Sequence, residues 1–227
     1  MKKAWLILSV VLCSCQILQA QVVLKTDSLR YLAMGDSYTV GRLMPPAESF
    51  PYLLVKKLNS KGIKTARPTL LAQNGWRTDE LLSAVKNGHI SYDYNFVTLL
   101  IGVNNHYQKK DIVVYQVEFK QLLDSAIAFA GRNAKHVIVL SIPDWGVTPF
   151  AALRNPPKIA AEIDAYNQLN KELTKQAGAT YINITGLTRD VADEPGIMAS
   201  DQLHYTGKMY GWWADKVASA VRSNFKN

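Results

Sequence analysis

Four short stretches of the chain hold the side chains that could do covalent chemistry. Ser37 lies in Gly35-Asp36-Ser37-Tyr38, Gly75 follows Gln73-Asn74, Asn104 lies in Gly102-Val103-Asn104-Asn105-His106, and Asp201-Gln202-Leu203-His204 sets a carboxylate three residues before an imidazole. A serine hydroxyl is a weak nucleophile until a neutral imidazole takes its proton. The imidazole needs a carboxylate to fix its tautomer and stabilise its charged form. Attack on a carbonyl creates an oxyanion, which needs hydrogen-bond donors already in place. Ser37 fits the nucleophile, His204 the base and Asp201 the orienting carboxylate, the last two near enough to meet on a single turn. The backbone N–H groups of Ser37 and Gly75 and the side-chain amide of Asn104 fit the donors. Ester hydrolysis is the chemistry such a set can perform. Each residue also has a bland use: Ser37 as a helix N-cap, Gly75 as a turn residue, Asn104 as a loop anchor, His204 as a cap on the last helix. Asp36 reads as a brace for its loop rather than a reacting group.

These residues must be positioned by regular elements, and apolar patterning supplies them. Tyr31–Met34, Thr69–Ala72, Phe96–Ile101, Val137–Leu140 and Tyr181–Ile184 read as short strands. Phe96–Ile101 is apolar on both faces, as a central parallel strand should be. Helical spacing runs over Phe50–Leu58 with Gly62 as a stop, a helix capped by Thr78 through Val85, Ile112–Ala130, Pro157–Gln176 and Met209–Val221. Strands alternating with helices predict a parallel sheet covered on both faces. In such sheets ligands bind beyond the carboxyl ends of the strands, and all four stretches fall just after a strand or before the last helix. Tyr38, Trp76, Tyr107, Trp145 and Tyr205 neighbour them and are candidates to line a pocket, as is His106. Packing of the loops is the competing use of these aromatics.

The blocks Gly35-Asp36-Ser37, Gly75, Gly102-x-Asn104 and Asp201-x-x-His204 resemble, in order, those of the SGNH (GDSL-type) hydrolase family. The resemblance spans about residues 29 to 222. It implies a three-layer α/β/α, flavodoxin-like fold with a parallel five-stranded sheet, the triad Ser37, His204 and Asp201, an oxyanion hole of Ser37, Gly75 and Asn104, and no metal or other cofactor. Members of the family deacylate lipids, thioesters and sugar esters. Tyr38, Asn105 and Tyr205 stand where the family often has leucine, aspartate and proline.

Composition bounds the rest. A chain of 227 residues, 48% hydrophobic and 19% charged, suits one globular domain and excludes a disordered chain, a coiled coil or a collagen-like repeat. The formal charge of +8 admits anionic partners, but no basic run stands out, and the strand-end residues are mostly uncharged or acidic. Nucleic acid is therefore not the expected partner. Lys2-Lys3 followed by an apolar run to Cys13 reads as a secretory signal, too short to span a bilayer. Cleavage after Ala20 would leave a single domain over 21–227, secreted or periplasmic. Leu12-Cys13-Ser14-Cys15 instead resembles a lipobox, which would lipidate Cys15 and hold the protein at a membrane. Cleavage after Ala20 removes both cysteines, which excludes thiol catalysis.

The reading that follows is an exported serine esterase cutting short acyl groups, acetyl first, from a carbohydrate or aryl alcohol through an acyl-enzyme. A lysophospholipase or thioesterase is the second reading within the family, and a non-catalytic glycan-binding module is the rival from another class. Two finer expectations accompany it. Asp201 should raise the pKa of His204. Asn104 should face the oxyanion while Asn105, one residue on, turns away into the loop or an adjacent helix.

Overall fold

The computed structural model describes residues 28–225. The expected signal segment, with Cys13, Cys15 and both cleavage sites, lies outside the described residues. Five strands, β1 (Tyr31–Gly35), β2 (Thr69–Ala72), β3 (Phe96–Leu100), β4 (Val137–Leu140) and β5 (Thr180–Ile182), form one sheet in the order β2-β1-β3-β4-β5. Every pairing is parallel. β3 is central and buried throughout, and Tyr31 stacks on Phe96 across the β1–β3 pair at 4.4 Å. The helices are α1 (Ser37–Val40), α2 (Phe50–Ser60), α3 (Thr78–Asn87), α4 (Val103–Tyr107), α5 (Ile112–Phe129), α6 (Pro156–Gln176), α7 (Thr185–Asp190) and α8 (Gly207–Asn224). α2 packs on α8, while α5 packs on both α3 and α6. This is the three-layer α/β fold that the alternation of strands and helices predicts. Among the described residues no helix is long and apolar enough to cross a membrane.

The departures from the expected elements cluster where the site is built. Three short helices, α1, α4 and α7, were not legible as periodic segments, because four to six residues are too few to show a helical repeat. Thr78 begins α3 but does not cap it. The carboxylate of Glu80 accepts the Arg77 N–H (2.9 Å) instead, which is the backward half of a capping box. β5 ends at Ile182, because Asn183 Oδ1 accepts the Gly186 N–H (3.0 Å) and turns the chain into α7.

Two glycines are required by geometry. A Cβ on Gly35 would lie 2.2 Å from Thr39 Oγ1 and 2.3 Å from the Leu100 carbonyl, so β1 meets α1 only with glycine there. Gly102, between β3 and α4, has φ +127°, and a Cβ would meet Tyr115 and Ile142 at 2.7 Å. Both conditions exclude an L side chain at the entry to α4.

Candidate active site

β1 delivers the chain to a sharp turn at its carboxyl end. Asp36 is extended, and its carboxylate accepts the Tyr38 N–H (3.0 Å), which caps α1. Burial pushes the Asp36 carboxyl up to about 7. Ser37 is the first residue of α1, and a first-turn N–H has no partner within its helix.

The loop before α8 brings the second half of the site. Asp201 Oδ1 accepts the backbone N–H groups of Leu203 (3.1 Å) and His204 (2.9 Å), which folds the four residues into one turn. Its other oxygen, Oδ2, stands 2.6 Å from His204 Nδ1. A carboxylate can only accept, so Nδ1 carries the proton and Nε2 of the neutral ring presents a lone pair. Ser37 Oγ lies 2.9 Å from that Nε2 and donates to it. The hydroxyl, imidazole and carboxylate thus form one continuous chain, with Ser37 and His204 almost wholly buried.

The electrostatics correct one expectation. His204 has its pKa lowered below the ordinary histidine value. Burial is the largest cause, and the hydrogen bond and charge of Asp201, which act upward, do not outweigh it. The positive charge of Arg42 adds to the depression. Asp201 is itself lowered: burial pushes it up, but the backbone and ring donors of His204 and the Leu203 N–H prevail.

Gly75 and Asn104 complete the wall around Ser37. Gly75 sits at φ +83°, a left-handed turn that glycine adopts freely. Asn104 Nδ2 donates to the Trp76 carbonyl (2.9 Å), tying α4 to the turn that carries Gly75. An amide nitrogen has a second hydrogen, and both Asn104 and Gly75 line the pocket that contains Ser37 and His204. That pocket holds about 170 Å³ and is closed by Tyr107, Trp145, Phe150 and Leu203.

Asn105 turns away, as expected, though helical rotation on α4 separates it from Asn104 rather than strand alternation. Its Oδ1 accepts the Thr78 N–H (3.0 Å) and its Nδ2 donates to Thr78 Oγ1 (2.6 Å). The Thr78 hydroxyl gives its own proton to Glu118. It must therefore receive one from residue 105, which an amide supplies and an ionised aspartate would not.

The six candidate pocket residues part company, and Tyr107 lines the pocket. Trp145 lines the pocket. Tyr38 lines it too, but with its ring buried beside His204 at 5.4 Å. Tyr205 is a core residue, fully buried against Tyr38 and Trp213, and does not line the pocket. The two tyrosines that depart from the family's pattern thus pack on each other, 5.8 Å apart. Trp76 contributes its carbonyl but not its ring. His106 faces the opposite side of α4: its Nδ1 accepts the Trp145 indole N–H (3.1 Å) and its Nε2 stands 2.9 Å from Glu162.

Asp144, which the sequence suggests as a loop brace, and residues of α6 and α7 that it does not single out hold Trp145 in place. Asp144, fully buried, accepts the Gly146 N–H (2.8 Å) and pairs with Arg189 Nε (2.7 Å). Asn167 accepts the Ile142 N–H (2.7 Å) and donates to the Ile142 carbonyl (2.9 Å). The available signal was polarity out of place, since Asn167 and Asn170 interrupt the apolar face of α6.

Fold and site geometry together define a three-layer α/β protein with its polar residues gathered at the carboxyl edge of a parallel five-stranded sheet. The family model described as GDSL-like Lipase/Acylhydrolase matches residues 33–212, and the chain belongs to that family. The protein YpmR of Bacillus subtilis (strain 168), itself uncharacterised, is 23% identical over 206 residues, covering 84% of this chain and 80% of that one. A lipase/acylhydrolase from Enterococcus faecalis superposes with a TM-score of 0.67 at 17% identity, covering 87% of this chain and 98% of the other. Axe2, an acetylxylan esterase from Geobacillus stearothermophilus, superposes with a TM-score of 0.63 at 17% identity, covering 88% and 95%.

Proposed function

We propose that this protein is a serine esterase that removes short acyl groups, acetyl first, from a carbohydrate or aryl alcohol. The observation that carries the reading is the unbroken chain from Asp201 Oδ2 through His204 to Ser37 Oγ, opening on a pocket of about 170 Å³. Ser37 Oγ attacks the ester carbonyl as its proton passes to His204 Nε2. Asp201 stabilises the imidazolium, and the N–H groups of Ser37 and Gly75 with Asn104 Nδ2 receive the oxyanion. The alcohol leaves with the proton from Nε2, and the acyl group stays on Oγ. Water, deprotonated by His204, then attacks the acyl-enzyme and restores Ser37.

The size of the pocket favours a short acyl group. The space beside Ser37, about 170 Å³, is small against the cavity of about 890 Å³ beyond Tyr107 and Trp145, which supports a short acyl group. A lysophospholipase or thioesterase would use the same residues but needs room for a chain. Family membership supports acylhydrolase chemistry, and the fold shared with an acetylxylan esterase supports acetyl on a carbohydrate as the first choice.

Release of 4-nitrophenol from the acetate, butyrate and octanoate esters tests the reading. Acetate or butyrate should be cut fastest, and a serine-reactive phosphonate should label Ser37. Preference for octanoate would favour the lipid reading, and no turnover at all would favour a binding module. Export follows as part of the proposal: intact mass of the native protein should show a start at Gln21 or a lipidated Cys15, and an unprocessed Met1 would remove both versions.

A further inference from the structure

Tyr107 and Trp145 line the pocket beside Ser37 on one side and a second cavity, of about 890 Å³, on the other. The larger cavity lies between α4 and α6, with aromatic rings at Tyr107, Trp145 and Tyr166. Its rim carries Lys109, Lys110, Arg154 and Lys158 against a single acid, Glu162, which is already engaged by His106 (2.9 Å) and Lys158 (3.8 Å). Among the described residues Lys109, Lys110 and Arg154 have no ion-pair partner.

Arg154 occupies the boundary between the two spaces. Its guanidinium lies 4.5 Å above the Phe150 ring and 5.8 Å above the Tyr107 ring, and its Nη1 donates to the Tyr107 hydroxyl (3.3 Å). Phe150 and Tyr107 also wall the catalytic pocket, and the Phe150 N–H donates to the Gln202 carbonyl (3.1 Å) in the loop that carries His204. The cationic lip is therefore tied, through Phe150, to the loop that carries His204 and adjoins the pocket beside Ser37. An acyl chain laid past these cations would strip water from them without replacing it. A ring bearing an anion would pair with them and set its apolar face on the aromatic wall.

We propose that the cavity between α4 and α6 is the leaving-group subsite and that it takes a saccharide carrying an anionic substituent, a carboxylate or a phosphate. The proposal rests on the esterase reading for its role, while the binding it requires is measurable without turnover.

The experiment titrates the Ser37→Ala protein with methyl glycosides of glucuronic acid, glucose 6-phosphate and glucose, each acetylated at the same ring hydroxyl. One of the two anionic ligands should bind at least about tenfold more tightly than the neutral one, equal to about 1.4 kcal/mol. Which of them leads names carboxylate or phosphate as the source. The preference should shrink at about 0.5 M salt, where the screening length falls to a few ångströms. In the Arg154→Gln/Lys158→Gln background it should fall to within about twofold, a ratio that cancels any general loss of affinity. Equal affinity for charged and neutral ligands, or a preference that survives both substitutions, would overturn the proposal. Turnover of 4-nitrophenyl acetate by the intact protein is read separately. If that fails while the anionic preference stands, the esterase reading falls and the anion subsite remains.

Discussion

Two carboxylate–imidazole pairs lie on either side of the Trp145 wall, and they are wired in opposite senses. In one, Asp201 receives the proton of His204 Nδ1, leaving Nε2 as a lone pair facing the Ser37 hydroxyl at 2.9 Å. In the other, the indole of Trp145 occupies Nδ1 of His106, so the proton sits on Nε2 and points to Glu162. Indole nitrogen donates and never accepts. The second imidazole has already received a hydrogen bond on its basic nitrogen from a group with no useful proton to give. A buried histidine beside a carboxylate is thus not by itself a base; the third member decides. The Ser37 chain can move a proton and expose a nucleophile, whereas the His106 chain can only hold an indole in place.

Removing a member of each chain separates the two most sharply. Ser37→Ala should lower kcat/KM on 4-nitrophenyl acetate by about 10⁴-fold or more, with a melting temperature close to that of the parent, and His204→Ala should match it. His106→Ala should cost less than about tenfold on the same substrate. A collapse of activity in His106→Ala comparable to that in His204→Ala would break the comparison.

The same contrast continues along α4, where neighbouring amides face different parts. On the proposed mechanism Asn104→Ala removes an oxyanion donor, so kcat should fall by about 10²–10³ with KM nearly constant. Asn105→Ala leaves the buried Thr78 N–H without its acceptor and the Thr78 hydroxyl with Glu118 alone, so it should cost about 1–3 kcal/mol of stability and little in kcat. Steady-state kinetics and a melting curve on each protein decide. Reversal of the two patterns would place the oxyanion donor one residue further on.

Trp145→Phe sharpens the structural half. It keeps an aromatic ring but removes the N–H from His106 and part of the buried indole's packing, which should lower stability by at least about 1 kcal/mol, read as a lower denaturant midpoint. An unchanged midpoint would mean that the indole–imidazole bond stabilises nothing.

The smallest effect is on pH. Only the neutral imidazole can accept the Ser37 proton, so kcat/KM should rise with pH through a single limb. Burial holds His204 below the ordinary value of about 6.5, and the midpoint should lie below that value. Removing the Arg42 charge, as Arg42→Gln, makes protonation easier and should move the limb upward. A midpoint above 7 in the parent would mean that Asp201 outweighs burial after all.

That reversal shows where sequence reading stopped. The strands were legible because Phe96–Leu100 and Val137–Leu140 are buried runs whose composition needs no partner to be recognised. The site residues were legible because each directly follows a strand or precedes α8, so topology alone gathers them at one edge. The pKa of His204 was not, because its sign depends on how much water the folded loops exclude, a property of packing rather than of neighbours in the chain. The place of Tyr205 was hidden for the same reason: one position after His204 in sequence, it is packed into the core on Tyr38 and Trp213. Trp145 owes its position to the pairing of Asp144 with Arg189, 45 residues further on, and to Asn167, 25 residues from the Ile142 it clasps.

α4 assigns four consecutive residues to four separate neighbours: Asn104 to the turn after β2, Asn105 to α3, His106 to α6 and Tyr107 to Arg154. Length there is consequently less tolerant of change than identity. One residue inserted ahead of Asn104 would rotate all four by about 100°, so four partnerships would be lost in a single step. Substitutions can be tried one at a time, because each of the four bonds fails separately. Variation in this segment across natural or laboratory descendants should accordingly run through replacement at fixed length, with insertions and deletions displaced to the exposed stretch between α3 and β3, where Gly88 to Asp93 carry no part of the site.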